Sequence, residues 1–283
     1  MAISSKTTFV IGAGASCDFG FPTSDSLVGK ICRSLDIEFA YLNEIKKGSR
    51  EIVECLWRIP YYLENSGSYL SAAKKIVSQL ELNTTTIDDF LNRDSRTENE
   101  VFMAKLAIAI EIINCEKRSE LYDDYSHRFN FLSDTVKKSY LHKLFRNLVH
   151  EQKGPKNIFK NVSFIIFNYD RCVEQFFHKY LMKDFALNQQ DAFEILQTCN
   201  IIHPYGVVEE FALKNVTDTN FGVLPFDYEI LVNSVKNSIK VYSDIDIKDQ
   251  IRFDILETIN NTRNLHFLGF GFHEANLKLL RPL

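Results

Sequence analysis

The chain has 283 residues, 45% of them hydrophobic and 25% charged, enough apolar sequence for one large domain that carries an insertion. With a net charge of −4, nothing suggests a general electrostatic footprint for DNA or RNA. The longest apolar stretch, Leu106–Ile113, is broken by Glu111 and is far too short to span a bilayer. Six dispersed cysteines, none in a C-x-x-C pair, read as reduced, mostly buried thiols of a cytoplasmic protein.

Taken in order, the β-prone run Thr7–Ile11 predicts a strand buried on both faces, central in a parallel sheet. It stops at Gly12-Ala13-Gly14-Ala15-Ser16, and a helix with Leu27, Ile31 and Leu35 on one stripe begins after Phe21-Pro22, with Thr23 or Ser24 as its cap. From 36 to 152 the strand signal nearly vanishes. Helical spacing predicts Arg50–Leu63, ended or kinked near Pro60, then Tyr69–Leu82, Ile87–Asn92, Glu98–Glu116 and His127–Glu151. Residues 36–152 therefore read as a helical insertion, with 1–35 and 153–283 forming a discontinuous core. The strongest strand, Val162–Phe167, ends in Asn168-Tyr169-Asp170 and leads into a helix over Arg171–Met182. A short strand, Asn200–His203, ends in His203-Pro204-Tyr205-Gly206; helices over Tyr228–Val241 and Ile247–Asn261 lead to a last strand, Asn264–Leu268. That strand ends in Gly269-Phe270-Gly271, with a helix from about Glu274. The fold class is α/β: a Rossmann-like, doubly wound parallel sheet interrupted early by an all-helical smaller domain. The closing run Leu280-Arg281-Pro282-Leu283 stops just into that last helix, and more protein is expected beyond it.

In open parallel sheets, ligands sit outside the carboxyl ends of the strands. Four strands here bring glycine turns or hydrogen-bonding side chains to that edge. Gly12–Ser16 suits a pyrophosphate, because glycines let backbone approach closely and a helix N-terminus favours negative charge. It lacks the third glycine of G-x-G-x-x-G, where Cys17 stands, and Gly29-Lys30 does not complete a Walker pattern. A tight structural turn is the other reading. Asn168 and Asp170 could fix hydroxyls or a carboxamide, or form an Asx turn that caps the next helix. His203 could be a general base near neutral pH, or a hydrogen-bonded structural residue. Ser16 could hold a ligand or cap the first helix, and Gly269-x-Gly271 could be an ordinary strand-to-helix turn.

The ordered set resembles the sirtuin (SIR2) family, and specifically its bacterial SIR2-like anti-phage defence branch. The matching stretches are Gly12–Ser16 with Gly20-Phe21-Pro22, Thr86-Ile87-Asp88-Asp89-Phe90-Leu91, Phe167–Asp170, His203 to Gly206, and Leu268–Phe272 with Asn276. The resemblance implies a Rossmann-like NAD domain with an inserted small domain, and NAD+ as the ligand. It implies that Gly12, Ala13, Gly14 and Ser16 hold the pyrophosphate and its ribose, with Phe21 and Pro22 in the segment that loops over the nicotinamide. Asn168 would place water by the nicotinamide ribose, Asp170 would hold the carboxamide, His203 would be the base, and Gly269, Gly271 and Asn276 would lie along the adenosine half.

Two departures from the deacetylating members bear on activity. Their zinc-binding C-x-x-C pairs are absent, so no zinc is expected. Their G-I-P-D-F-R segment is Gly20-Phe21-Pro22-Thr23-Ser24-Asp25 here. The expected activity is therefore hydrolysis of NAD+ to nicotinamide and ADP-ribose, as the effector of an abortive-infection system. The alternatives are an NAD-dependent protein deacylase and a non-catalytic NAD or ADP-ribose-binding module. A defence NADase must be silent in a healthy cell, which implies a regulatory partner, a further domain or a homo-oligomer.

Overall fold

A computed structural model describes the chain except at residues 1–2, 42–43, 61, 83–85, 92–95, 125, 151, 153, 215–218, 225–227, 241, 243–248 and 282–283, and the side chains of Leu63 and Asp89. The expected element ends at Asn92, Glu151 and Val241, the start at Ile247, the core boundary at residue 153 and the terminal Pro282-Leu283 lie outside the described residues.

Strand β1 (Thr7–Ile11) is buried at all of its positions, as a β-branched and aromatic run covered on both faces should be. It pairs in parallel with β4 (Val162–Ile166) on one side and with β6 (Asn264–Leu268) on the other. Strand β5 (Asn200–Ile202) extends the sheet beyond β4, also in parallel, giving the order β5-β4-β1-β6. The chain moves outward from β1 to β4 and β5, then returns to the far side of β1 for β6. The fold is mixed α/β, and a parallel sheet in this order is compatible with a Rossmann-like fold. Strand β6 is the exposed edge of the sheet: four of its five residues are exposed, and Leu265 and Phe267 are each 37% accessible.

Between β1 and β4 come α1 (Ala13–Ser16) and α2 (Ser24–Leu35), whose cap Thr23 accepts a hydrogen bond from the Ser26 amide. Next is a short antiparallel pair, β2 (Glu38–Phe39) with β3 (Ile45–Lys47), where the sequence predicts no strand. Helices α3 (Arg50–Trp57), α4 (Tyr62–Leu82), α5 (Ile87–Leu91) and α6 (Glu98–Arg118) follow. The predicted helix His127–Glu151 is instead irregular up to Ser133, then α7 (Asp134–Lys138) and α8 (Tyr140–Val149). Ser139 separates the two: its own amide closes α7, and its Oγ accepts from the His142 amide to start α8. After β4 come α9 (Cys172–Asp184) and α10 (Gln189–Leu196); after β5 come α11 (Tyr228–Ser238) and α12 (Gln250–Asn260); after β6 comes α13 (Glu274–Leu280).

Helix α6 is the spine of the helical stretch, with Met103–Ile110 buried without a break. It packs against α2 and α4, and α11 packs against α6 and α3. One continuous buried apolar cluster runs from Phe9 and Ile11 through Ile108 and Phe145 to Phe177 and Ile255. The helical stretch thus shares α2 and α11 with the segments that flank it in sequence. A buried ion pair joins the two parts. Arg171, just before α9, donates through Nε and Nη2 to Glu116 of α6, and both side chains have no solvent exposure. Glu116 also accepts from the amides of Arg171 and Gly222, so its charge meets donors on several sides.

No helix among the described residues is long and apolar enough to cross a membrane. All six cysteines are free; Cys17 is exposed and the others are buried.

Candidate functional site

The turn after β1 is set by its contact with the turn after β6. The Gly12 amide donates to the Leu268 carbonyl and the Gly14 amide to the Gly269 carbonyl, each at 3.0 Å. A Cβ on Gly12 would lie 2.6 Å from the Gly269 oxygen, and one on Gly269 would lie 2.0 Å from the Ala15 nitrogen. Gly269 also has φ +56°, in the left-handed region that favours glycine. The first physical reason for these glycines is therefore backbone against backbone. The amides of Gly12 and Gly14 are committed to carbonyls, a limit on the expected pyrophosphate cradle. Residues 17–19 then form a 3-10 turn that ends on Gly20, whose φ of 86° turns the chain into Phe21-Pro22 and the cap of α2.

A cavity of about 430 Å³ opens between these turns, at the carboxyl edge of the sheet where β1 meets β6. That is the point where the strand order reverses, the usual ligand crevice of such sheets. Gly12, Ala13, Gly14, Phe21, Pro22, Asn168, Asp170, Gly269, Gly271 and Asn276, all expected from sequence, line it. Ser16 and His203 do not. Ser16 is buried (2% accessible) and its Oγ accepts from Asn168 Nδ2 at 2.9 Å. It supports a lining residue; as the last residue of α1 it is no cap at that helix's start.

Asn168 and Asp170 follow β4 and are both buried. Asn168 Nδ2 also donates to the Gly12 carbonyl at 3.2 Å, tying the turn of β4 to that of β1. Asp170 Oδ1 accepts from the Cys172 amide at 3.1 Å, which is the Asx turn that opens α9, and the same residue lines the cavity. Burial pushes its carboxyl above the usual range, against hydrogen bonds from Cys172 and Ser16 that hold it down.

His203 lies on the other side of the Asn168 backbone, at a second depression of about 510 Å³. Its Nδ1 is 3.2 Å from the Asn168 carbonyl oxygen and its Nε2 is 2.8 Å from Glu174 Oε1. Burial lowers its basicity, but the Glu174 charge and hydrogen bond and the Asn168 carbonyl outweigh this, and the net shift is upward. The expected general base thus stands outside the cavity, in an ion-pair setting that holds its proton.

The cavity wall also contains residues not singled out from sequence. Tyr205 is buried and donates from its hydroxyl to Asn276 Oδ1 at 2.6 Å. It belongs to the His203–Gly206 segment, two residues after the imidazole. Asp88, within the quoted Thr86–Leu91 stretch, accepts from the Tyr169 hydroxyl at 2.7 Å and lines the cavity with Thr86 and Ile87. His273, on the exposed segment after Gly271, also lines it, and no spacing signal marked it. Three aspartates, Asp25, Asp88 and Asp170, face the cavity, and no lysine or arginine is among the described residues that line it. Phe21, Pro22, Phe167 and Phe270 supply apolar walls. Among the described residues no three histidine, cysteine, aspartate or glutamate side chains are grouped so as to hold a metal ion.

No protein-family model, no curated protein and no solved structure matches the chain.

Proposed function

We propose that this cavity binds NAD+ and hydrolyses its nicotinamide–ribose bond. The observation that carries the reading is one arrangement: buried Asn168 and Asp170 open onto a crevice walled by both glycine turns, at the reversal of the sheet. Apolar walls suit the flat nicotinamide and adenine rings. Asp170 suits the carboxamide. With Nδ2 engaged by Gly12 and Ser16, Asn168 offers its Oδ1 to a water or a ribose hydroxyl. Cleavage builds positive charge at the ribose C1′, and a wall with carboxylates and, among the described residues, no lysine or arginine favours that charge over the ground state. Water adds to C1′, nicotinamide leaves with the bonding pair, ADP-ribose remains, and one proton is released.

The test is to incubate the purified chain with NAD+, alone and with candidate partner proteins, and to resolve nicotinamide, ADP-ribose and cyclic products. Asn168→Ala is expected to slow NAD+ loss by about 100-fold with the fold intact. Undiminished turnover in both Asn168→Ala and Asp170→Ala refutes the assignment. The position of His203 outside the cavity favours one second reading, a module that binds NAD+ or ADP-ribose without turnover; saturable binding with no products selects it. An enzyme that drains NAD+ has to be held silent, so a regulatory partner or homo-oligomer, and a role in anti-phage defence, belong to the same proposal.

A further inference from the structure

The two ring nitrogens of His203 both face oxygen acceptors: the Asn168 backbone carbonyl at 3.2 Å and Glu174 Oε1 at 2.8 Å. A neutral imidazole has one N–H, and would set a lone pair against one of these oxygens. The proton that resolves the conflict can sit on the ring or on Glu174. The ordinary imidazole value lies roughly two units above that of a carboxyl, which places it on the ring. The ring is nearly enclosed, with 11% of its surface accessible, and the Glu174 side chain has 10%.

Charges around the pair agree. Asp170, in the turn before α9, adds negative potential at His203. Glu174 of α9 is felt by Arg171 in that turn, by Tyr140 of α8 and by Cys199 just before β5. Cys172, also on α9, interacts with Asp170. Glu210 and Lys240 line the depression onto which His203 and Glu174 open. Of these groups only Arg171 and Lys240 are cations. Arg171 is held by Glu116.

We propose that His203 acts as an imidazolium brace: paired with Glu174, it holds the Asn168 carbonyl, fixes the Asn168 side chain against Ser16 and Gly12, and takes no proton from substrate or water. His203 is thus a positioning residue. The brace itself stands on the geometry; only its kinetic consequence rests on the proposed NAD+ hydrolysis. The two roles give pH dependences of opposite sign. A brace works while His203 is charged, so turnover falls as pH rises through its titration. A general base works while neutral, so turnover climbs through the same range.

The decisive experiment is a nitrogen-15 histidine NMR titration of the full chain without NAD+, paired with a pH–rate profile. Both His203 nitrogens are expected to be protonated at pH 7, and Glu174→Gln to lower the midpoint by about one unit or more. A neutral His203 at pH 7, or a midpoint that Glu174→Gln leaves in place, overturns the proposal whether or not the chain turns over NAD+. In the rate arm, His203→Asn keeps an amide N–H where Nδ1 stood. It is expected to retain most of the kcat that His203→Ala loses, with the alkaline fall removed. A kcat that rises with pH in the native chain and is lost equally in both variants establishes the base and overturns the brace. If no version turns over NAD+, the proposed hydrolysis fails and the NMR result still decides the brace.

Discussion

Replacing Gly269 by alanine tests whether the two glycine turns exist for each other. The new Cβ would sit 2.0 Å from the Ala15 nitrogen and 2.4 Å from the Gly14 carbonyl carbon, both backbone atoms that no side-chain rotation can move away. The turns must part, and the Gly14–Gly269 hydrogen bond goes with them. A φ of +56° adds the left-handed penalty of about 1–2 kcal/mol. Forced separation of packed backbone and the lost bond bring the expected cost to about 3–6 kcal/mol. Urea unfolding followed by circular dichroism, without ligand, measures it. Two companions separate the causes. Gly20 has φ +86° with nothing within 4 Å of a Cβ, so Gly20→Ala carries strain alone, about 1–2 kcal/mol. Gly12, at φ −120°, carries a clash without strain, with the Gly269 oxygen 2.6 Å away. The expected order of cost is Gly269, then Gly12, then Gly20. If Gly269→Ala costs no more than Gly20→Ala, the packing argument is wrong. Unchanged stability with lost NAD+ affinity would return these glycines to the ligand.

Glu116→Gln leaves the buried Arg171 guanidinium with only the part-exposed Glu209, 4.0 Å from Nη1, as counter-charge, and chemical denaturation should show a loss of about 3 kcal/mol. The double variant Glu116→Met with Arg171→Met should recover most of it; a double variant as unstable as the single one refutes the buried-charge account. His178, buried on α9 with Nε2 3.0 Å from the Gln189 carbonyl, is pushed down to about 4 by burial first. An unfolded chain therefore takes up a proton between about 6.5 and 4 that the folded chain refuses, and this residue's contribution to stability falls as pH falls through that window. His178→Gln should flatten the acid limb of a stability profile, and an unchanged limb refutes the assignment.

The central part of the fold was legible because β1 and β4 are short, continuous β-prone runs, and such runs have few homes other than the middle of a parallel sheet. Helix α2 was legible from its cap and stripe. The stretch 127–151 was misread because apolar spacing continues across Ser139, and a serine that ends one helix and caps the next leaves the periodicity unbroken. The hairpin β2–β3 is too short and charged to show, and α10 buries only Gln189, Ala192 and Leu196. Asn264–Leu268 reads as a strand, but its exposure follows from its place at the end of the sheet, which no local pattern encodes. The lining of the cavity was largely visible because strand ends share one edge. The side on which His203 and Tyr205 fall was not, since the turn at residues 204–205 breaks the strand alternation that would have fixed their direction.

The pairing of β1 has a consequence in time. Its neighbours are supplied by residues 162–166 and 264–268, so a chain emerging from the ribosome holds its first, β-prone strand with both edges open. At about 5–20 residues per second, the roughly 150 residues before β4 take about 8–30 s to appear. Contacts near in sequence, among α2 and the helices up to α8, can form meanwhile. The crevice comes last, because the turn that closes it over Gly12 and Gly14 follows the final strand.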